Sequence, residues 1–235
     1  MHKFSWPAWL ALVLAACAAP QRAPAPPLPT PPVTEASPPP AAPPVGAESW
    51  TVVSSNLAVR VYRDGAMQKL GHDHLISSDA VAGTITLGKP LTETRFELSL
   101  PLASLAVDDE AARQAAGGVF AAPVPAKDRE ATRHNMLGAK LLDAATQDTI
   151  RMASESVTGG DGRFEARIRV SLAGHDSVVS APFSVTLEGG QLKAHADFRL
   201  THADLGLQPF TAALGALRVR EDFEVDLTLE ARRGS

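Results

Sequence analysis

Cysteine occurs once in these 235 residues, so no disulfide can close within the chain. Aromatic residues make up only 5% of it, and a core must be assembled mainly from Ala, Val and Leu. Small side chains of that kind can leave space inside a fold. Charge of either sign is not in excess: 22 Lys and Arg stand against 26 Asp and Glu, for a net charge of −4. Such a surface offers no basic face for nucleic acid and no polybasic patch for anionic lipid. The apolar run from Phe4 to Ala16 is too short to cross a bilayer as a helix, which takes about 20 residues.

What is present begins with that run. Met1-His2-Lys3 places a positive charge before it, and it ends in Leu14-Ala15-Ala16-Cys17. The ending resembles the lipobox read by the bacterial lipoprotein signal peptidase. The resemblance implies removal of residues 1–16, a diacylglyceryl thioether on Cys17 and acylation of the new amino group. Two or three acyl chains form a stable anchor, at about 0.8 kcal/mol per buried CH2. The alternative is an ordinary secretory signal with Cys17 incidental. Ala18, rather than Asp, follows the cysteine, which resembles outer-membrane sorting; the expected location is the bacterial cell envelope, lipid-anchored and facing the periplasm. Residues 18–48 then hold 12 prolines and almost no charge. Such a stretch favours polyproline II and buries too little apolar surface to fold. With Cys17 it reads as a tether, residues 17–48, ahead of one domain over 49–235.

In that domain the apolar residues recur with a period of two. Leu57, Val59 and Val61 alternate with Ala58, Arg60 and Tyr62. Val81, Gly83, Ile85 and Leu87 form a second run, and Phe96, Leu98 and Leu100 a third. Asp108-Asp109-Glu110 reads as an acidic helix start with Gly117-Gly118 as its stop, and Asp128-Arg129-Glu130 opens a second helix reaching about Leu137. From Thr149 onward strands return: Thr149 to Val157, Phe164 to Leu172, Val179 to Leu187, Leu192 to Leu200 and Phe223 to Leu229, joined by Gly-rich turns. Each strand has one apolar and one charged face. About eight of them predict a mainly β fold, an antiparallel sandwich or a closed barrel; closure would remove exposed edges, and the fold expected is an antiparallel eight-stranded barrel with one or two short helices outside it. A barrel of that size is filled by side chains or holds one small ligand. Ala166, Ala181, Ala194, Ala196 and Gly83 fall in inward phase, which favours the ligand-holding form.

The residues that invite chemistry lie in Leu70-Gly71-His72-Asp73-His74-Leu75-Ile76, between two strand-like runs. On a strand His72 and His74 project to one side and both could meet one metal ion, with His134 or Asp204 as a possible third ligand. Asp73 then faces away from both and is badly placed to orient either. No Gly-x-Ser-x-Gly motif and no cysteine nucleophile exist in the domain, so catalysis finds little support. The third reading puts both histidines at the barrel mouth, against the polar head of an amphiphile whose tail lies inside. His134 and Asn135 either line the same mouth or cap the second helix.

The C-terminal block carries a family resemblance. Phe198-Arg-Leu-Thr-His-Ala-Asp204-Leu-Gly206-Leu-Gln-Pro209-Phe210, followed by Leu214-Gly215-Ala216-Leu217, resembles the YceI-like family, as do Trp50, the pair His74-Leu75 and the Gly174 hairpin. The resemblance is strongest over 163–231, and the double histidine departs from the family's single one. It implies a lipocalin-like barrel whose interior can hold a polyisoprenoid, in a family many of whose members have no assigned enzymatic activity; separately, two histidines fall short of the three or four ligands of a metal site, and no cofactor is expected. The Asp204–Phe210 block is read as turn architecture, with Phe210 plugging the barrel end. The expected function is sequestration or carriage of an isoprenoid or similar lipid, with Ala194, Ala196, Phe198 and Phe210 joining His72 and His74 as ligand contacts. The alternatives are a metal-dependent or redox-associated envelope enzyme using His72 and His74, and a structural envelope module.

Overall fold

A computed structural model of the chain describes residues 48–234. The expected signal peptide, the anchor at Cys17 and the Pro-rich tether lie outside the described residues.

Eleven strands alternate with two helices. They are β1 (Glu48–Asp64), β2 (His74–Ser78), β3 (Ala82–Leu87), β4 (Arg95–Pro101) and β5 (Ala106–Val107), then helices α1 (Glu110–Ala116) and α2 (Ala126–Leu137). After these come β6 (Thr149–Gly160), β7 (Arg163–Leu172), β8 (His175–Glu188), β9 (Gln191–Thr201), β10 (Thr211–Ala212) and β11 (Leu217–Arg233). Pairing is antiparallel in the order β1-β11-β9-β8-β7-β6-β4-β3, and β3 returns to β1. Eight strands therefore close on themselves, which leaves no long unpaired edge. The expected eight-stranded barrel is present.

Three short strands are added to it. The long β1 pairs with β3 through Glu48–Thr51 and with β2 through Leu57–Val61. The histidine segment, expected between strands, thus enters one at His74, and β5 pairs onto its outer edge. β10 pairs with the start of β11.

Two strands shift their apolar phase part-way. In β1 a register shift between Val52 and Ser54 leaves Trp50 and Val52 in phase with each other, while Ser55 and Leu57 are the buried positions beyond it. In β6 the shift between Ser154 and Ser156 moves burial onto Val157. One extra residue in a strand reverses which parity faces inward, so each bulge joins two half-strands of opposite pattern.

The core is aliphatic, as the scarcity of aromatics requires. Its main cluster includes Leu57, Ile76, Leu98, Leu100, Val170, Leu172 and Leu229, and reaches Met136 on α2. A smaller cluster around Trp50, Ile85 and Leu192 closes the opposite end, where Arg233 lies over the Trp50 ring at 5.6 Å. Each fully buried Leu, Ile or Val in these clusters contributes roughly 1.5–3 kcal/mol. Gly83 has a different role from the one its phase implies. Its φ is +147°, and a Cβ there would lie 2.0 Å from the Glu97 carbonyl oxygen of β4. It permits close approach of two backbones, not space in the barrel.

Candidate functional site

The histidine segment is fixed from its own neighbours first. After the 3-10 turn Gln68–Leu70 the chain passes Gly71, whose carbonyl accepts from Arg63 Nη1 at 2.6 Å. The Arg63 backbone N–H donates to Asp73 Oδ1 at 3.0 Å. Asp73 thereby ties the loop to β1 and is turned away from the imidazoles, as strand alternation predicts. His72 and His74 have ring centroids 6.1 Å apart, edge to face.

The orienting acid comes from farther along the chain. Asp108, between β5 and α1, has φ +54° and no exposed surface. Its backbone N–H donates to the Leu75 carbonyl at 2.8 Å, and Leu75 N–H donates back to Asp108 Oδ1 at 2.9 Å. Oδ2 lies 2.6 Å from His74 Nδ1. Arg113, 4% exposed on α1, donates to Oδ1 at 2.5 Å and to the carbonyls of Asp73 and Ala122. Burial pushes the Asp108 carboxyl pKa up, but the hydrogen bonds from His74, the Leu75 N–H and Arg113, with the charge of a protonated His74, outweigh it and hold it below the usual carboxylate range. It is therefore ionised at neutral pH and accepts only, so whenever the His74 ring is neutral its proton lies on Nδ1.

Helix α2 supplies the other wall. Asp128, Thr132 and Asn135 are spaced four and three residues apart and so share one face. Asp128 Oδ2 is 3.2 Å from His72 Nε2, and Thr132 Oγ1 is 3.4 Å from His74 Nε2. Arg133 holds the helix down by donating to the Leu105 and Ala103 carbonyls.

Around these groups lies a cavity of about 220 Å³, bounded by His72, His74, Thr132, Asn135, His202 and Phe210 among others. A second cavity, of about 170 Å³, lies in the barrel lumen, and its lining, which includes Ala166, Ala194, Ala196, Phe198 and Leu227, is almost wholly apolar. The two share no lining residue. In register, Val59 stands between Val225, which lines the lumen, and Ile76, which lines the mouth. At the far end of the barrel an open groove of about 600 Å³ runs between Trp50, Leu87, Leu91 and Arg233.

The site residues expected from sequence are thus divided. His72, His74 and Phe210 meet at the mouth, while Ala194, Ala196 and Phe198 meet in the lumen. Phe210 is 41% exposed and forms a wall of the mouth, not a plug. Asn135 lines the mouth, whereas His134 is exposed and lines neither cavity. Asp204 accepts from the N–H and hydroxyl of Thr201, both at 2.7 Å, and closes a turn away from the histidine pair. Among the described residues no group of three or more His, Cys, Asp or Glu side chains could hold a metal ion.

Sequence reasoning missed Asp108, Arg113, Asp128, Thr132 and His202 as site residues. The spacing of Asp128, Thr132 and Asn135 was a usable signal, since it gives a helix one polar face. Asp108 offered none, because it stands in an acidic triplet whose other members do mark the helix start: Asp109 caps α1 by accepting from the Ala112 N–H at 2.9 Å.

Comparison with known proteins places the fold. Among solved structures the chain is similar to BcnA of Burkholderia cenocepacia at 9% identity and a TM-score of 0.53, over 75% of this chain and 95% of that one. It is also similar to a YceI protein of Campylobacter jejuni at 8% identity and a TM-score of 0.49, over 68% of this chain and 85% of that one. No curated protein matches it. The family model for the YceI-like domain matches residues 50–231, nearly the whole barrel, and the chain belongs to the YceI-like family.

Proposed function

We propose that this protein is an envelope lipoprotein, anchored through Cys17, that binds an isoprenoid or similar amphiphilic lipid without transforming it. The observation that carries the reading is the lumen cavity: a space inside a closed barrel whose lining, Thr94 and His195 apart, is apolar. Such a space rewards a hydrocarbon at about 25 cal/mol per Å² of apolar surface removed from water, before the cost of association. The cavity at one end, where His72, His74, Thr132 and Asn135 stand in an otherwise largely apolar wall, suits the head of the same molecule.

Size sets the length of tail. Liquid water takes about 30 Å³ per molecule, so 170 Å³ corresponds to about half a dozen water-sized groups, roughly one isoprene unit. A longer tail enters if side chains such as Phe96, Phe198 and Met152 turn aside, and if the way past Val59 opens toward the mouth. Carriage or sequestration follows from equilibrium binding, with the Pro-rich segment giving the domain reach from the membrane.

The test is to purify the full chain from a bacterial envelope in mild detergent and examine it by native mass spectrometry and solvent extraction. The expected result is a lipid bound near one to one, on a chain whose intact mass includes acyl groups at Cys17. A preparation that neither carries lipid nor takes up added prenols would sink the reading. A stoichiometric metal ion in protein without a His tag would instead favour an enzyme using His72 and His74.

A further inference from the structure

Large apolar side chains left in water are few on this protein and unevenly placed. Eight are exposed among the described residues, and four of them, Met67, Leu70, Phe210 and Leu214, lie on two short loops at the mouth end of the barrel. Those loops, residues 65–71 after β1 and 208–217 around β10, are joined. The Met67 N–H donates to the Ala216 carbonyl at 2.8 Å, and the Val219 N–H donates to the Phe210 carbonyl at 3.1 Å. Gly65 and Gly71 keep them close: a Cβ would lie 2.5 Å from the Ala216 oxygen at the first and 3.0 Å from Leu217 Cδ1 at the second. Gly71, Phe210 and Leu217 also line the mouth cavity, so the joined loops form part of its rim.

The backbone is bent so as to hold one tip outward. Ala213 and Leu214 stand in succession at φ +48° and +55°, a left-handed conformation that residues with a Cβ rarely adopt, bulky ones least of all. Leu214 is 109% exposed, Leu70 69%, and Met67 and Phe210 40% and 41%. At about 200 Å² for a full side chain of this kind, the four expose roughly 500 Å². A stable pair of subunits buries about 800 Å² on each partner, with pockets for its anchoring side chains. Two projecting loop tips offer neither that area nor that shape. A bilayer needs no pocket, and takes up apolar side chains about 5–10 Å deep at the boundary of headgroups and acyl chains.

Charge agrees with that partner. Residues 65–71 and 208–217 contain no Asp or Glu and a single cation, Lys69. The acids on either side of the first loop, Asp64 and Asp73, are paired with Arg218 and Arg63. A lysine between Met67 and Leu70 lays its stem along the apolar layer and lifts its ammonium to a lipid phosphate. We propose that these two loops dock on a phospholipid bilayer, inserting Met67, Leu70, Phe210 and Leu214, so that the mouth opens against the membrane. The proposal adds a partner to the protein and does not rest on what the lumen holds.

The test places a tryptophan at the tip of each loop, Leu214→Trp and Leu70→Trp, in the full chain. Each variant is reconstituted with vesicles of phosphatidylethanolamine and phosphatidylglycerol whose acyl chains carry bromine, a contact quencher of tryptophan. Leu187→Trp is the reference, an exposed apolar position lining the groove at the far end together with Glu48. The chain before Glu48 joins at that end, so an anchor alone gives the rim no advantage over it. Emission is read as the difference from the wild-type chain. Both rim tryptophans should lose about half of that emission and Leu187→Trp almost none, the contrast between a side chain about 5–10 Å deep and one in water. Equal quenching at rim and far end, or an unquenched tryptophan at either tip, overturns the proposal. So does a rim tryptophan already shielded in buffer by a dimer seen in sedimentation, which would make the loops a contact between copies. If Leu214→Trp fails to fold, Leu70→Trp against Leu187→Trp decides alone. Lipid present or absent in the lumen alters none of these readings.

Discussion

A carboxylate with no exposed surface, set between a guanidinium and an imidazole, is costly to disturb from either side. Asp108→Asn would leave Arg113 buried without its counter-charge, and losing one member of a buried pair costs about 3–5 kcal/mol. The variant should therefore melt well below wild type. The pH dependence has a definite sign. The folded-state pKa of Asp108 is depressed, so its stabilisation is present above the unfolded value of about 3.9 and is lost as pH falls through the folded value. Wild type should lose stability in acid below about pH 4, and Asp108→Asn should show a shallower acid limb; parallel limbs in thermal melts from pH 7 to pH 3 would contradict the account. The residue was invisible in the sequence for a physical reason. An Asp in an acidic triplet ahead of a helix is ordinarily a solvated cap, and only the fold of β5 against β2 shows that Asp108 is the buried member and Asp109 the cap. The histidines were legible because two imidazoles in a Gly-Asp setting had no obvious place in an alternating strand.

Among the elements, the strands were read from their period and the bulges were not. Alternation identifies β7 and β9 almost residue for residue, because each keeps one parity from end to end, whereas β8 begins at His175, four residues before the Val179 at which the apolar pattern starts. β1 and β6 each change parity once, and a single sequence gives no way to see which of two half-patterns a strand obeys. The added strands β2, β5 and β10 are too short for a period to register, so the histidine segment was taken for a connection between strands. Gly83 exposes the same limit: phase assigns it inward, whereas the backbone of β4 is what excludes a side chain there. Gly83→Ala should destabilise by at least about 2 kcal/mol, from a positive φ plus direct overlap with the Glu97 carbonyl. Gly160→Ala, at a position with open space and an ordinary φ, should fall within about 0.5 kcal/mol of wild type in urea. Equal effects at the two positions would remove the close-approach explanation.

For the whole molecule, eight one-sided strands foretold a sheet whose apolar face is buried against sheet, which either a sandwich or a closed barrel provides, and the structure is the closed barrel. The division of its interior was not foreseeable. Ala166, Ala181, Ala194 and Ala196 do line a lumen cavity, but it is distinct from the mouth where His72 and His74 lie; along β1, Leu57 lines the first, Val61 the second, and Val59 between them lines neither. The central claim is that one molecule bridges the two, head at the histidines and tail in the lumen. A crystal structure of the complex with a prenol carrying bromine at the end of its tail tests this most directly, through the anomalous signal of the bromine. The account predicts a bromine peak in the lumen, beside Ala194, Ala196 and Phe198, with the hydroxyl at His74. A bromine peak confined to the mouth, to the groove beside Trp50 or to the outer surface would contradict it.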